Sequence, residues 1–157
     1  MDEQSQSLDS TEVLTLGLHS GFLSYRKLFI SQIIEKVETR HDNSSQLFIF
    51  FYENQPISKI EIVGILRRYE RRSKKAIFHI DDGTGVIVVV KFINDDEIDQ
   101  SVFRENIEIG TLLSVKGQLM KMESNTTPYD YAIKANLVDV LSDPNMELLH
   151  WTMTMSS

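Results

Sequence analysis

The chain has 157 residues, none of them cysteine, and carries 23 acidic against 16 basic side chains. Without cysteine there is no disulfide scaffold, thiol nucleophile or cysteine-held zinc. A net charge of −7 argues against broad duplex-DNA binding, which depends on many phosphate contacts. The charge is uneven, however. Residues 57–94 hold eight Lys/Arg and four Asp/Glu, whereas residues 1–56 hold four and eight, and residues 95–157 four and eleven.

Residues 1–15 are expected to be a flexible, polar tail, too acidic at Met1–Ser10 for a signal peptide. No apolar run approaches the roughly 20 residues of a membrane helix, so a soluble, intracellular protein is expected. Residues 16–157 are expected to form one domain. Gly21–Glu38 has apolar residues at Phe22, Tyr25, Leu28, Phe29, Ile33 and Val37, which predicts an amphipathic helix facing the core. Residues 41–46, "HDNSSQ", read as a polar breaker, and "LFIFFY" at 47–52 as a strand interrupted by Asn54-Gln55-Pro56. Alternation of Ile60 and Ile62 with Lys59 and Glu61 predicts a first barrel strand running through Gly64 to Leu66. Residues 76–81 and 86–92 read as the second and third strands, joined by the turn "DGTG" at 82–85. A short amphipathic helix is expected over 95–106, a fourth strand over 111–122 and a fifth over 129–141. Ser142-Asp143-Pro144 is a helix start, so residues 144–155 are expected to form a C-terminal helix.

Five short strands with a helical connection after the third, and internal glycines at Gly64 and Gly117 where a small barrel must bend sharply, predict an all-β core with the five-stranded OB-fold Greek-key topology. An N-terminal helix, a helix between strands three and four and a C-terminal helix complete it. A β-sandwich is the competing architecture and accounts less well for the helix after strand three.

The ordered motifs sharpen this. Phe51, Tyr52, Asn54, Pro56 and Ile57 lead into the first strand with Ile60, Ile62 and Gly64. The turn Asp81-Asp82-x-Thr84-Gly85 follows, then Gly110, Leu113, Val115 and Gly117. Together, over about residues 16–155, they resemble the N-terminal OB domain of the Stn subunit of the CST telomere-capping complex, a relative of the middle subunit of replication protein A. The resemblance implies a nuclear protein of the chromosome's telomeric region, without enzymatic activity or cofactor. It would form a heterodimer with a small OB-fold subunit through C-terminal helices, contribute to binding single-stranded telomeric DNA, and contact a larger CST subunit. Many members also carry a C-terminal winged-helix region. Two departures stand out: Phe92 replaces a frequent Trp, and Met120 and Met122 flank Lys121 where basic or aromatic residues are common.

Three groups of residues carry the functional expectation. "RRYERRSKK", residues 67–75, falls between strands one and two, a connection that helps clamp nucleic acid in OB-folds. Arg67, Arg68, Arg71, Arg72, Lys74 and Lys75 would track phosphates and Tyr69 would stack on a base; the plain alternative is a solvated, charged hairpin. Lys91, Phe92, Lys121, Tyr129 and Tyr131, with Lys134, would extend the groove, unless the aromatics are core. On the C-terminal helix, Met146, Leu149, His150, Trp151 and Met153 would meet the partner, unless that stripe plugs the barrel itself. Asp81 and Asp82 read as turn-capping residues rather than catalytic or metal-binding carboxylates. The four histidines show no ligand spacing. Two other functions remain open: a general single-strand-binding factor like the replication protein A middle subunit, and an assembly adaptor that binds no DNA.

Overall fold

A computed structural model describes residues 24–43, 47–94, 107–122 and 131–156. Among these residues nine strands and two helices follow one another: β1 (Arg26–Lys27), α1 (Ile30–Lys36), β2 (Glu38–Asp42), β3 (Leu47–Tyr52), β4 (Gln55–Ile57), β5 (Lys59–Arg71), β6 (Lys75–Asp81), β7 (Val86–Phe92), β8 (Leu112–Lys121), β9 (Tyr131–Val140) and α2 (Asn145–Met155). The strands β5-β6-β7-β9-β8 form a sheet that β5 closes by pairing with β8. Only the β7–β9 pair in this ring is parallel. This is the closed five-stranded barrel of the OB-fold. β1 adds to it in parallel beside β5, and β2-β3-β4 make a separate antiparallel sheet.

Alternation builds the core. Ile60, Ile62 and Leu66 of β5, Ala76, Phe78 and Ile80 of β6, Ile87 and Val89 of β7, and Leu113 and Val115 of β8 all point inward and are buried. Tight curvature explains the two strand glycines. A Cβ on Gly64 would lie 2.7 Å from the Asp81 carbonyl oxygen, and one on Gly117 would collide with the Lys134 carbonyl oxygen, beside a register shift between β8 and β9.

The helix expected over Gly21–Glu38 is shorter, as only Ile30–Lys36 is helical within the described residues. Arg26 and Lys27 instead pair with Ile60 and Glu61, because the edge of β5 offers backbone partners there. Leu28, Ile30, Ile33 and Val37 do face the core. The expected breaker at 41–46 is also corrected: His41 and Asp42 end β2, paired with Phe48 and Leu47. Nor does Asn54-Gln55-Pro56 simply interrupt the strand. Glu53 and Asn54 both take positive φ, 50° and 61°, which turns β3 tightly into β4. The helix expected over 95–106 lies outside the described residues.

Candidate nucleic-acid interface

The basic stretch is a hairpin rather than a long loop. β5 continues through Arg71 and β6 begins at Lys75, with the Arg72 amide donating to the Lys75 carbonyl at 2.8 Å. A register shift between Leu66 and Arg68 inserts an extra residue and turns both Arg67 and Arg68 outward. Beyond it, Tyr69 returns to the core side against Phe78, ring centroids 5.2 Å apart. Arg71 shares that side with Ala76, while Arg68 and Glu70 lie opposite His79 and Ile77 on the outer face. Lys74 is exposed in the turn.

Arg67 and Arg72 are already engaged. Arg67 Nε lies 3.1 Å from Asp81 Oδ2, and Arg72 Nε 3.0 Å from Glu70 Oε1. The Arg72 hydrogen bond, reinforced by its charge, holds the Glu70 carboxyl below its ordinary range, so that pair stays ionic. His79 is pushed down, first by burial and then by the nearby Arg68 charge, which leaves it a neutral ring on the outer face.

The outer face continues across the barrel. Lys75 pairs in register with Phe92, Ile77 with Val90, and Val90 with Lys134. Val88, Val90 and Ala132 form an aliphatic floor against which Ile77, Met120 and Met122 pack. Phe92 is 49% exposed, and the Lys134 ammonium sits 5.5 Å from its ring centroid. This patch offers a ring, an apolar floor and a rim of cations, which suits stacked bases and their phosphates.

Other expected groove residues sit elsewhere. Lys91 alternates to the core side and is 7% exposed. Tyr131 also faces inward: its hydroxyl donates to the Val37 carbonyl at 2.9 Å and contacts Thr39 Oγ1 at 3.0 Å, while its ring meets Phe50 edge-on. A tyrosine hydroxyl prefers water, which favours exposure, but here backbone and threonine partners take the place of that water. Lys121 leans over the Phe48 ring, away from the groove. Tyr129 lies outside the described residues. Lys134, expected in the groove, does lie on the outer face, and His79 joins it there.

Helix α2 turns Met146, Leu149 and Met153 of the expected stripe outward but His150 inward. Its buried residues are His150 and Thr154, seated on β1 and β5, with Trp151 half-buried. His150 therefore belongs to the seam with its own barrel. Met146, Leu148, Leu149, Met153 and Met155 are all exposed, from 44% to 71%. Asp143 Oδ1 accepts the Asn145 amide at 2.9 Å and starts the helix. Among the described residues no cluster of three His, Asp or Glu could hold a metal ion, and no helix is long and apolar enough to cross a membrane.

Residues 6–157 match the family model described as telomere regulation protein Stn1. A CST complex subunit STN1 from Ailuropoda melanoleuca is 37% identical over 89 residues, 55% of this chain and 23% of that protein. The Homo sapiens subunit of that name is 28% identical over 123 residues, 76% of this chain and 30% of that protein. The chain thus spans about a quarter to a third of the length of the curated relatives it matches. Among solved structures, the S. pombe Stn1-ten1 complex matches with a TM-score of 0.66 at 24% identity, covering 85% of this chain and 90% of that one. A replication protein A heterotrimer bound to ssDNA also gives 0.66, at 19% identity over 85% of this chain and 93% of that one.

Proposed function

The chain belongs to the Stn1 family of telomere regulation proteins, and on that premise we propose that it caps chromosome ends in the nucleus as a non-enzymatic subunit with two contacts. Helix α2 holds a small, Ten1-like OB-fold partner. The outer face of β5-β6-β7, from Arg68 and Lys75 to Phe92, contributes to binding the telomeric single strand beside that partner. A larger CST subunit completes the assembly.

One observation carries this reading: α2 seats polar His150 and Thr154 on its own barrel and turns Met146, Leu149 and Met153 outward. A helix that merely plugged its barrel would do the reverse, because burying apolar area stabilises by about 25 cal/mol per Å². Exposed, adaptable methionines suit a helix-to-helix interface.

Co-expression with a small OB-fold partner tests the first contact. A 1:1 complex is expected, and the double variant Met146→Asp/Met153→Asp is expected to abolish it while the barrel stays folded. Anisotropy titration of that complex with a telomeric oligonucleotide at two salt concentrations tests the second. Arg68→Glu/Lys75→Glu is expected to weaken binding and flatten its salt dependence, since each phosphate contact contributes a slope of about −0.7 on single strands. The adaptor reading has an observation in its favour, because Arg67 and Arg72 are paired with Asp81 and Glu70. It predicts a stable complex with no salt-sensitive binding.

A further inference from the structure

The outer face does not stop at the groove. Around the barrel, one register row runs from Val90 of β7 to Lys134 of β9, Gln118 of β8 and Lys59 of β5. Strands lie about 4.8 Å apart, so the three steps span about 14 Å. Lys134 and Gln118 are exposed and Lys59 is half-buried on this outer side. Where the row ends, Tyr25 lies over the β5–β8 pair, 37% exposed. The Lys59 and Lys116 ammoniums stand 5.5 and 5.8 Å from its ring centroid. Its hydroxyl accepts a hydrogen bond from Asn136 Nδ2 at 3.0 Å, which fixes the ring's position.

The charges here differ from those of the hairpin. Among the described residues, Lys59, Lys116 and Lys134 enter no ion pair. The nearest candidate to neutralise Lys116 is Glu61, its partner across β5–β8, and that carboxylate is bound by Lys27. Asp139 of β9, two residues beyond Leu137 and opposite Ser114, is a further acid on that side. The conspicuous arginines at Arg67 and Arg72 are spoken for, while three scattered lysines remain open to an anion.

We propose that Tyr25, Lys59 and Lys116 form a second single-strand-binding subsite, joined to the groove through Gln118 and Lys134, that carries the strand around the barrel toward helix α2. A base laid on the exposed part of the Tyr25 ring brings its flanking phosphates within reach of both ammoniums. The row leads to β5 and β1, on which α2 sits, so the strand leaves this barrel on the side where the partner docks. The inference rests on the reading of the outer face as single-strand-binding.

The test compares oligonucleotides of about 8 and about 16 nucleotides, within the range one OB-fold occupies, by anisotropy on this chain in complex with its small partner. Lys59→Gln/Lys116→Gln is expected to leave the shorter oligonucleotide's affinity unchanged. For the longer one it lowers the salt slope by about 1.4, two contacts at about 0.7 each. Tyr25→Ala is expected to cost the longer oligonucleotide about fivefold or more, and Tyr25→Phe, which keeps the ring, to restore it. Unchanged binding of the longer oligonucleotide in both Tyr25→Ala and the lysine pair, with Arg68→Glu/Lys75→Glu still impaired, overturns the subsite and leaves the groove standing. Equal losses on both lengths also overturn it, as that marks a general perturbation. No salt-sensitive binding by the unaltered complex removes the groove and the subsite together. Loss of the partner complex in Lys59→Gln/Lys116→Gln without a change in DNA affinity reassigns the patch to a protein contact.

Discussion

Asp82 shows how a single side chain can read as chemistry and act as architecture. It is buried in the β6–β7 turn. Its Oδ1 accepts the Thr84 amide at 2.9 Å and the Thr84 hydroxyl at 2.6 Å, closing the turn. Its Oδ2 accepts the amide of Ile30, 52 residues earlier, at 2.8 Å, and Thr84 Oγ1 accepts the amide of Ser31 at 3.1 Å. Helix α1 has Phe29 at its N-cap, a side chain with no acceptor, so the turn supplies the missing cap from across the molecule. The sequence made the turn legible through Asp, Thr and two glycines; the helix it caps was not, because a long-range hydrogen bond leaves no local pattern. Hydrogen bonds to a charged group contribute about 1.5–3 kcal/mol each, and an orphaned buried amide costs about 1–3. Asp82→Ala is therefore expected to destabilise the fold by about 2–4 kcal/mol, and Asp82→Asn by less. Urea unfolding with an unchanged m-value checks both.

At the scale of elements, the barrel strands were legible because β-branched runs and inward isoleucines leave a period of two. The hairpin and the N-terminal segment were less so. "RRYERRSKK" has no apolar alternation, so it read as a loop, although backbone pairing carries β5 to Arg71. The apolar spacing at 21–38 mixed one short helix with an edge strand, and a seven-residue helix is too short to establish its own period. Lys91 and Tyr131 were misjudged because alternation fixes two faces without saying which is inside. Helix α2 adds a pH dependence. Its His150 ring is 4% exposed, and neither ring nitrogen has a hydrogen-bond partner among the described residues. Burial pushes its pKa down from 6.5. The Lys27 charge of β1 acts in the same direction; Glu61 of β5, Asp82 of the β6–β7 turn and the Leu28 backbone, which faces the ring without closing a hydrogen bond of normal geometry, oppose it. A depressed histidine pKa means that the unfolded chain binds the proton more readily. Stability is then full above about 6.5 and is lost as pH falls through the folded-state value. His79 shifts in the same direction. His150→Leu is expected to keep the fold at pH 7, since removing unpaired polar atoms is nearly neutral, and to flatten the decline of Tm between pH 7 and 5.

For the molecule as a whole, the two ends of the described chain contribute unequally. The main core cluster contains Leu28, Ile30, Ile33, Val37, Phe50, Tyr52 and Ile57, all before the first barrel strand, and no residue of α2. The segment before the first barrel strand is thus part of the barrel's interior, as its amphipathic spacing predicts, and the C-terminal helix is a platform attached to its outside. Fully burying an aliphatic or aromatic side chain is worth about 1.5–3 kcal/mol, so losing those seven removes on the order of 10–20 kcal/mol from a fold whose net stability is about 5–15. A chain beginning at Ser58 is expected not to fold cooperatively. A chain ending at Leu141 is expected to unfold in one transition, with Tm lower by about 3–8 °C for the lost His150 and Thr154 seam. Circular dichroism melts of the two truncations read this directly, and partner pull-down separates the roles. The chain ending at Leu141 should keep its barrel signature and its groove but lose the small OB-fold partner, because the side chains that reach outward go with α2. A cooperative fold in the chain beginning at Ser58 would make α1 and the β2-β3-β4 sheet mere appendages. A non-native chain ending at Leu141 would make α2 a plug after all, and with it the exposed methionines would lose their meaning as a docking face.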